Sequence, residues 1–293
     1  MFQGSKKLYV IIDDTLIKKF FSSQIEGTGK FYDMKIGRRI NAFKLVIGMI
    51  SDGKFSIPIF DDYLFDPEVM ESIGTKPKTK IEIAQSFIEK TEQLFPGKEL
   101  IILADGLYAT KELIKWCIDT KRKTEMRMHS NRVVVYKGQK ISLKNLLKER
   151  GIEPKGRQMA RTITVQWQNM DLEISIVRRI DKHNNETIVF QVATYKAIPR
   201  VHSEAYALRW PVEKMIRMSK QHIGLQECYS TSFDTQQNHV AAVFLAYALA
   251  QQEVKRLKLK NPEEAIKRFK VENEQYFKRQ FLRFLNAEPV AYA

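Results

Sequence analysis

Acidic residues at three places in this 293-residue sequence could together hold divalent cations. Asp13 and Asp14 end the apolar run "KLYVIIDDT", Asp105 ends "ELIILADG", and Glu213 lies in "YALRWPVEKMIRMSK". Carboxylates that converge repel one another, and Mg²⁺ relieves this repulsion by taking their oxygens as ligands. Two such ions about 4 Å apart can hold the attacking and leaving oxygens of a phosphoryl displacement. Together the acids predict metal-assisted phosphoryl transfer, whereas each acid alone is better explained as a turn or capping residue.

The segment around Glu213 adds cations to this set. On one continuous helix its four polar residues would share a stripe about 60° wide, since 3.6 residues make a turn. These residues are Tyr206, Arg209, Glu213 and Lys220. The stripe would supply one carboxylate for metal and two cations for phosphates. The alternative is an ordinary Arg209–Glu213 pair on a solvated face. Pro211 leaves open whether the helix kinks there or begins there.

The acids need a scaffold, and the flanking sequence predicts a sheet. "KLYVIIDDT" and "ELIILADG" are typical of buried strands, whose ends are where open sheets place sites. "NAFKLVIGMISDGKFSIPIFDDYLF" predicts two more strands joined by a hairpin at Asp52–Gly53, so that the first three strands form an antiparallel meander. Helices are predicted for "TKIEIAQSFIEKTEQLF" and for "ATKELIKWCIDTK", the second with Thr110 as its N-cap.

The second half of the chain changes character. "NRVVVYKGQKISL", "RTITVQWQNMDLEISIVRRI" and "TIVFQVATYK" predict further strands separated by polar segments. The helix around "NHVAAVFLAYALAQQEVKRL" is apolar nearly all round and is expected to be buried, and a charged helix or helix pair follows from Asn261 to about Leu285. We therefore divide the chain into a core (1–122), a basic β-rich insertion (123–200), the second part of the core (201–257) and a helical tail (258–293).

Charge and composition narrow the classes of function. The net charge is +15, and the segment 121–161 holds thirteen Lys or Arg against three Glu, which favours a nucleic-acid partner over a merely solvated surface. No apolar run is long enough to span a membrane and no signal peptide is seen, so we expect a cytoplasmic protein with reduced cysteines. Phosphate-binding and dinucleotide-binding glycine motifs, zinc-ligand spacing and a serine nucleophile elbow are all absent from the sequence.

The spacing Tyr206-x2-Arg209-x3-Glu213-x6-Lys220 matches the Y-R-E-K signature, so the sequence resembles the DDE transposases of bacterial insertion-sequence family four. "GLQECYSTSFDTQQNHVAAVFLAYAL" is similar to the segment that follows the catalytic Glu in that family. "IIDDT" and "LIILADGLYATKEL" resemble the first-Asp strand and the second-Asp strand and helix. The resemblance covers essentially the whole chain, and the four-residue signature is its most specific part.

The resemblance implies an α/β fold: a ribonuclease-H-like mixed sheet flanked by helices, interrupted by a β-rich insertion and followed by a C-terminal helical block. It implies that an Asp of "IIDDT", Asp105 and Glu213 hold two Mg²⁺ or Mn²⁺ ions for DNA cleavage and strand transfer in cut-and-paste transposition. Arg209 and Lys220 would grip phosphates, and Tyr206 would contact a phosphate through its hydroxyl. The partner would be double-stranded DNA at transposon ends and targets, bound by a homodimer in a synaptic complex.

Two assignments stay open within this resemblance. Only one of Asp13 and Asp14 can face the metals directly, because side chains alternate along a strand. The D-x-[ST] pattern of ribonuclease-H-like first strands favours Asp13, which is followed by Thr15. The family often stabilises a flipped base with an aromatic residue of the insertion. Phe190 or Trp167 could serve, although core packing explains both better.

The sequence departs from the family at Pro211, within the signature segment, and in the length of chain before Asp13. Only twelve residues precede Asp13, where relatives usually carry a DNA-binding region. We therefore expect a truncated reading frame, a deleted copy or an isolated catalytic domain. Three interpretations compete with an active transposase: a decayed or regulatory copy that binds DNA without catalysis, another ribonuclease-H-like nuclease, and a basic RNA-binding protein, which would not need three converging acids.

Overall fold

The computed structural model describes residues 2, 4–20, 24–66, 69, 78–154, 160–180 and 183–285. These residues form one 11-stranded mixed sheet with helices packed on both faces. The strands are β1 Lys7–Lys18, β2 Gly29–Asp33, β3 Arg38–Ser51, β4 Ser56–Leu64, β5 Glu99–Ala104, β6 Lys123–Met128, β7 Val133–Tyr136, β8 Gln139–Ser142, β9 Ala160–Trp167, β10 Met170–Ile180 and β11 Glu186–Ala193. The helices are α1 Lys80–Leu94, α2 Lys111–Asp119, α3 Leu143–Arg150, α4 Pro199–Ala207, α5 Trp210–His222, α6 Phe233–Leu257 and α7 Pro262–Leu285.

The strand order is that of a ribonuclease-H-like core extended by an insertion. From one edge the order is β2-β3-β1-β5-β6-β11-β10-β9-β7-β8, and β4 pairs with β3 beside β2. β1 runs parallel to β5, and β5 runs parallel to β6. The remaining ladders are antiparallel, including β1 with β3 and β3 with β4. The predicted mixed α/β fold, with its meander and C-terminal helices, is confirmed.

Side-chain alternation along the central strands divides the core into two layers. Even-numbered residues of β1, such as Val10 and Ile12, belong to the core layer that also contains residues of α1, α2 and α3. Odd-numbered residues of β1, such as Ile11 and Ile17, belong to the layer on the other face, which contains residues of α5, α6 and α7. Because a strand turns successive side chains to opposite faces, this division also decides which helices each acid at a strand end meets.

Local signals in the sequence set several element boundaries. Thr79 caps α1 in a capping box with Glu82, and the Thr110 hydroxyl accepts a hydrogen bond from Leu113 N at 3.2 Å at the start of α2. The hairpin between β3 and β4 turns at Gly53, whose φ of +90° favours glycine. These elements agree with the prediction.

Other elements differ from the prediction. Two short strands, β2 and β6, were not expected, because each has too few residues for a clear period-two pattern. The strands of the predicted insertion continue the same sheet, since β6 pairs with β5 of the core and β11 pairs with β6. The expectation that α6 is wholly buried is wrong, because Leu245 is 62% exposed and Leu249 is 48% exposed.

Two absences apply to the described residues. None of the helices described there has both the length and the apolar character needed to cross a membrane. Cys117 and Cys228 are buried free thiols, in agreement with the expectation of reduced cysteines.

Candidate active site

Asp13 and Asp105 lie side by side on one face of the sheet. In the parallel ladder of β1 and β5, Ile12 is paired with Ala104, so the next residue of each segment is one of these aspartates. Ile11 and Leu103, two residues earlier, pack on the face covered by α5 and α6. The alternation of the strands therefore turns both carboxylates towards α5.

Asp14 belongs to the opposite face. Its carboxylate lies 3.5 Å from Lys44 Nζ and accepts a hydrogen bond at 3.4 Å from the hydroxyl of Tyr108. Burial and the neighbouring carboxylates raise the pKa of Tyr108, so the phenol stays a donor at neutral pH. Of the two candidates in "IIDDT", Asp13 is the one that faces Asp105 and α5.

The chain between Tyr206 and Glu213 is not one continuous helix. α4 ends at Ala207 and α5 begins at Trp210, with Arg209 in the N-cap position and Pro211 in the first turn of α5. Proline is tolerated there because the first helical amides have no partner within the helix. The prediction that these four residues share one 60° stripe is therefore wrong. Tyr206 lies on α4 and Arg209 at the junction of the two helices. Glu213 and Lys220 lie on α5.

Arg209 brings two of the predicted acids together. Its Nη1 donates to Asp13 Oδ2 at 2.9 Å, and its Nη2 donates to Glu213 Oε1. The guanidinium carbon lies 5.7 Å from the centroid of the Tyr206 ring, and Tyr206 itself is 5% exposed. Arg209 thus lies between the carboxylates of Asp13 and Glu213, beside the ring of Tyr206.

The surroundings of Asp13 favour a bound cation. Burial raises its pKa to about 7, Asp105 adds to the rise, and Arg209 acts against it. A buried carboxylate beside a second one is costly to ionise, and a divalent ion with oxygen ligands removes that cost. In the described part of the chain, no three His, Cys, Asp or Glu side chains are close enough to hold an ion as they stand, and Arg209 lies between two of the acids.

Lys220 occupies the far end of the same face. Its ammonium donates to Thr15 Oγ1 and to the carbonyl of Leu16, each at 2.8 Å. Burial, together with the nearby Lys18 and Lys35, lowers the pKa of Lys220 to about 8. An ammonium has three donors, so two are used here and one remains for a ligand.

These residues line an open cleft of about 880 Å³. It also contains residues that the sequence interpretation missed, chiefly Arg127, His129, Trp210 and the hairpin residues 32–35. Arg127 follows from the register, because Glu125 pairs with Leu103 and two residues further on each strand gives Arg127 opposite Asp105. Recognising β6 as a strand was the missing step. Trp210 is 51% exposed beside Arg209.

Phe190 and Trp167 lie away from the cleft. Phe190 on β11 is 3% exposed and Trp167 on β9 is 5% exposed, and both belong to the core beneath α1, α2 and α3. In this conformation neither side chain can reach a base, and their placement gives the proposed contact with a flipped base no support.

A buried ionisable pair fixes α4 to the sheet. His202 and Glu125 are each 0% exposed, and the imidazole Nδ1 contacts Glu125 Oε1. Burial raises the pKa of Glu125, and His202 opposes the rise. α4 packs across β6, β9, β10 and β11. This contact sets the position of the helix that carries Tyr206 and leads into Arg209.

Comparisons with known proteins show the family and the fold of this chain. The family model described as "Transposase DDE domain" matches residues 4–249. A solved piggyBac transposase, in a synaptic complex with hairpin DNA, is similar to 99% of this chain with a TM-score of 0.52 and 10% identity, and this chain spans 59% of its length. The NurA nuclease from Sulfolobus solfataricus aligns at a TM-score of 0.34, with 11% identity over 86% of this chain and 85% of its own. No curated protein sequence matches this chain.

Proposed function

Because this chain belongs to the family of transposase DDE domains, we propose that it cleaves DNA at the ends of an insertion sequence and transfers the freed strands to target DNA. The observation that carries the proposal is the convergence of Asp13, Asp105 and Glu213 on one cleft. Two of these acids come from adjacent strand ends and the third from α5. We assign the chain to the insertion-sequence family four type on the Y-R-E-K residues.

Asp13, Asp105 and Glu213 would hold two Mg²⁺ or Mn²⁺ ions, the divalent metals of DDE transposases. Their oxygens are the ligands that such hard cations take. Burial, with a smaller contribution from Asp105, raises the pKa of Asp13, so a bound divalent cation would favour its ionised form. When bound, the ions lower the pKa of the attacking water or 3′-hydroxyl and neutralise charge on the phosphoryl group. Asp14, held by Lys44 and Tyr108 on the other face, keeps the end of β1 in place and is not assigned as a ligand.

Arg209 has two tasks in this proposal. Without metal it compensates the charges of Asp13 and Glu213 through direct hydrogen bonds. With metal held by these carboxylates, the guanidinium would be free to bind a phosphate near the transferred end, as its planar donors suit phosphate oxygens. The ring of Tyr206 lies next to this guanidinium, and the Tyr206 hydroxyl contacts the same phosphate.

Lys220 holds a phosphate at the other end of the cleft through its third donor. Its contacts with Thr15 and Leu16 fix the ammonium relative to β1, two residues from Asp13. A phosphate bound there is therefore held at a set distance from the acids, which is the positioning that an in-line displacement requires. The partner is double-stranded DNA, and two copies of the chain join two ends as a homodimer.

Strand cleavage and joining test the proposal. A supercoiled donor plasmid carries both DNA segments that flank the gene for this chain, and products are mapped after addition of Mg²⁺ or Mn²⁺. We expect nicks at the element ends and joined products for the wild type, and neither for Glu213→Gln. Binding of the same DNA without cleavage by the wild type would identify a decayed copy. Cleavage of RNA or of branched DNA in preference to the ends would identify a different ribonuclease-H-like nuclease.

A further inference from the structure

The turn between β2 and β3 exposes apolar side chains beside the acids. We call residues 32–37 the hairpin tip. Met34 is 85% exposed, Tyr32 is 56% exposed and Ile36 is 39% exposed. Tyr32, Met34 and Lys35 line the same cleft as Asp13, Asp105 and Glu213. Large apolar side chains grouped in this way at a turn are costly in water and point to a partner that covers them.

The hairpin tip is held rigidly. Asp33, which is 5% exposed, accepts hydrogen bonds on Oδ1 from the amides of Lys35 and Ile36 at 2.8 and 3.2 Å. Its carbonyl accepts from Gly37 N at 2.8 Å, and its carboxylate forms an ion pair with Lys18. Gly37 adopts a φ of +73°, which closes the turn without strain. The buried carboxylate of Asp33 and its ion pair with Lys18 therefore fix the turn in a conformation that exposes Met34 to solvent.

The charges around the hairpin tip suit a polyanion. Lys30, Lys35, Arg38 and Arg39 are exposed, and none of them forms an ion pair within the described part of the chain. Lys18 and Lys35 line the same cleft as Lys220, so a band of cations extends from the hairpin tip along the cleft. A second protein surface could cover Met34, but this band is complementary to phosphates and would repel a second copy of itself.

We infer that the hairpin tip is a DNA-deforming element, in which Met34 enters a base step of the duplex while Lys35 contacts the adjacent phosphate. Methionine and isoleucine are among the side chains that partly unstack base steps and kink DNA, with basic residues alongside. The inference rests on the proposed function for its partner, and it names how duplex DNA would be held next to the acids. Kinking there would open the groove in front of Asp13 and Asp105.

The test measures the contributions of Met34 and Lys35 separately, each against a matched control variant. The full chain is mixed, without divalent metal, with a short duplex carrying donor and acceptor fluorophores at its ends. Energy transfer reports bending, and anisotropy over a series of salt concentrations reports phosphate contacts. Leu94→Ala removes an apolar residue that is 59% exposed at the C-terminal end of α1, and Lys6→Ala removes an exposed lysine just before β1, at the end of that strand away from the acids. The structure predicts that both controls behave as the wild type.

Met34→Ala is expected to lose most of the bending signal while keeping the salt dependence of the wild type. Lys35→Ala is expected to reduce the slope of log K against log salt by about 1. Unchanged bending in Met34→Ala would overturn the inference, as would loss of self-association by this variant with unchanged DNA binding. Because metal is absent, the test does not depend on cleavage: a wild type that bends DNA through Met34 but never cuts it would contradict the proposed function alone.

Discussion

Arg209 Nη1 lies 2.9 Å from Asp13 Oδ2, although 196 residues separate the two in the sequence. The same guanidinium also donates to Glu213. A single cation therefore bridges the two acids at the place where we propose that metal ions bind. Both carboxylates are thereby compensated before metal arrives. The contact makes the metal-free site stable, and it also makes Arg209 a competitor of the metal.

Replacing Arg209 by alanine should therefore change the response to metal. Without the guanidinium, Asp13 and Glu213 repel each other, so the melting temperature in EDTA should fall. Mn²⁺ then supplies the missing positive charge without having to displace Arg209, and the rise in melting temperature that it causes should exceed that of the wild type. Differential scanning fluorimetry measures both values. Lys270→Ala, which removes an exposed cation of α7 that does not line the cleft, serves as the control. An equal or smaller shift in Arg209→Ala would show that arginine and metal do not compete.

The raised pKa of Asp13 predicts a pH-dependent stability for the metal-free protein. The pKa of the Asp13 carboxyl is about 7 in the folded state and near the ordinary aspartate value of 3.8 in the unfolded state, so between these values the folded state binds more protons. Stability should therefore fall as pH rises from about 4 to 7 and change little above it. Asp13→Asn removes the effect, so the difference in free energy of unfolding between variant and wild type should grow over this range. Urea titrations in EDTA measure it, and a constant difference would contradict the shift.

The lowered pKa of Lys220 predicts a pH-dependent affinity for DNA. The free ammonium titrates at about 8, and a bound phosphate favours its charged form. The wild type should therefore bind DNA with its highest affinity below pH 7, and this affinity should decline as pH rises past 8. Arginine stays charged in this range, so the affinity of Lys220→Arg should decline less. Anisotropy titrations between pH 6.5 and 9.5 (chosen to bracket about 8) decide the point. Parallel curves for the two proteins would show that Lys220 does not contact phosphate.

The buried pair of His202 and Glu125 predicts a large loss of stability on truncation. His202→Ala leaves Glu125 without its partner in the interior, which typically costs about 3–5 kcal/mol. Arg200→Ala removes an exposed ion pair of the same helix and should leave the unfolding midpoint unchanged. Urea unfolding compares the two variants. A small effect of His202→Ala would mean that the pair does not fix α4.

Much of the scaffold could be predicted because strong local patterns specify it. β1 and β5 are apolar runs that end in acids, and α1 and α2 carry N-caps that the sequence displays. Short elements could not be predicted in this way. β6 spans Lys123–Met128 and owes its place to pairing with β5 and β11, which are distant in sequence.

The site was predictable in its residue types but not in its contacts. The spacing of Arg209 and Glu213 predicts their pairing, since residues four apart meet at a helix start as well as within a helix. Nothing local shows that the same arginine reaches Asp13, because that contact depends on how α5 packs on β1. The break before Pro211 was one of two open possibilities, and the packing of α4 against β6 through His202 is consistent with the one observed. The exposed hairpin tip was not expected, because β2 is only five residues long.

The central claim is that Asp13, and not its neighbour Asp14, serves with Asp105 and Glu213 as a metal ligand in DNA cleavage. The direct measurement is the Mg²⁺-dependent rate of cleavage at the element ends for Asp13→Asn and Asp14→Asn, with DNA affinity measured on the same preparations. We predict that Asp13→Asn loses roughly 10³-fold or more in rate while it still binds DNA, and that Asp14→Asn stays within about tenfold of the wild type. Activity retained by Asp13→Asn, with or without a loss in Asp14→Asn, would contradict the claim.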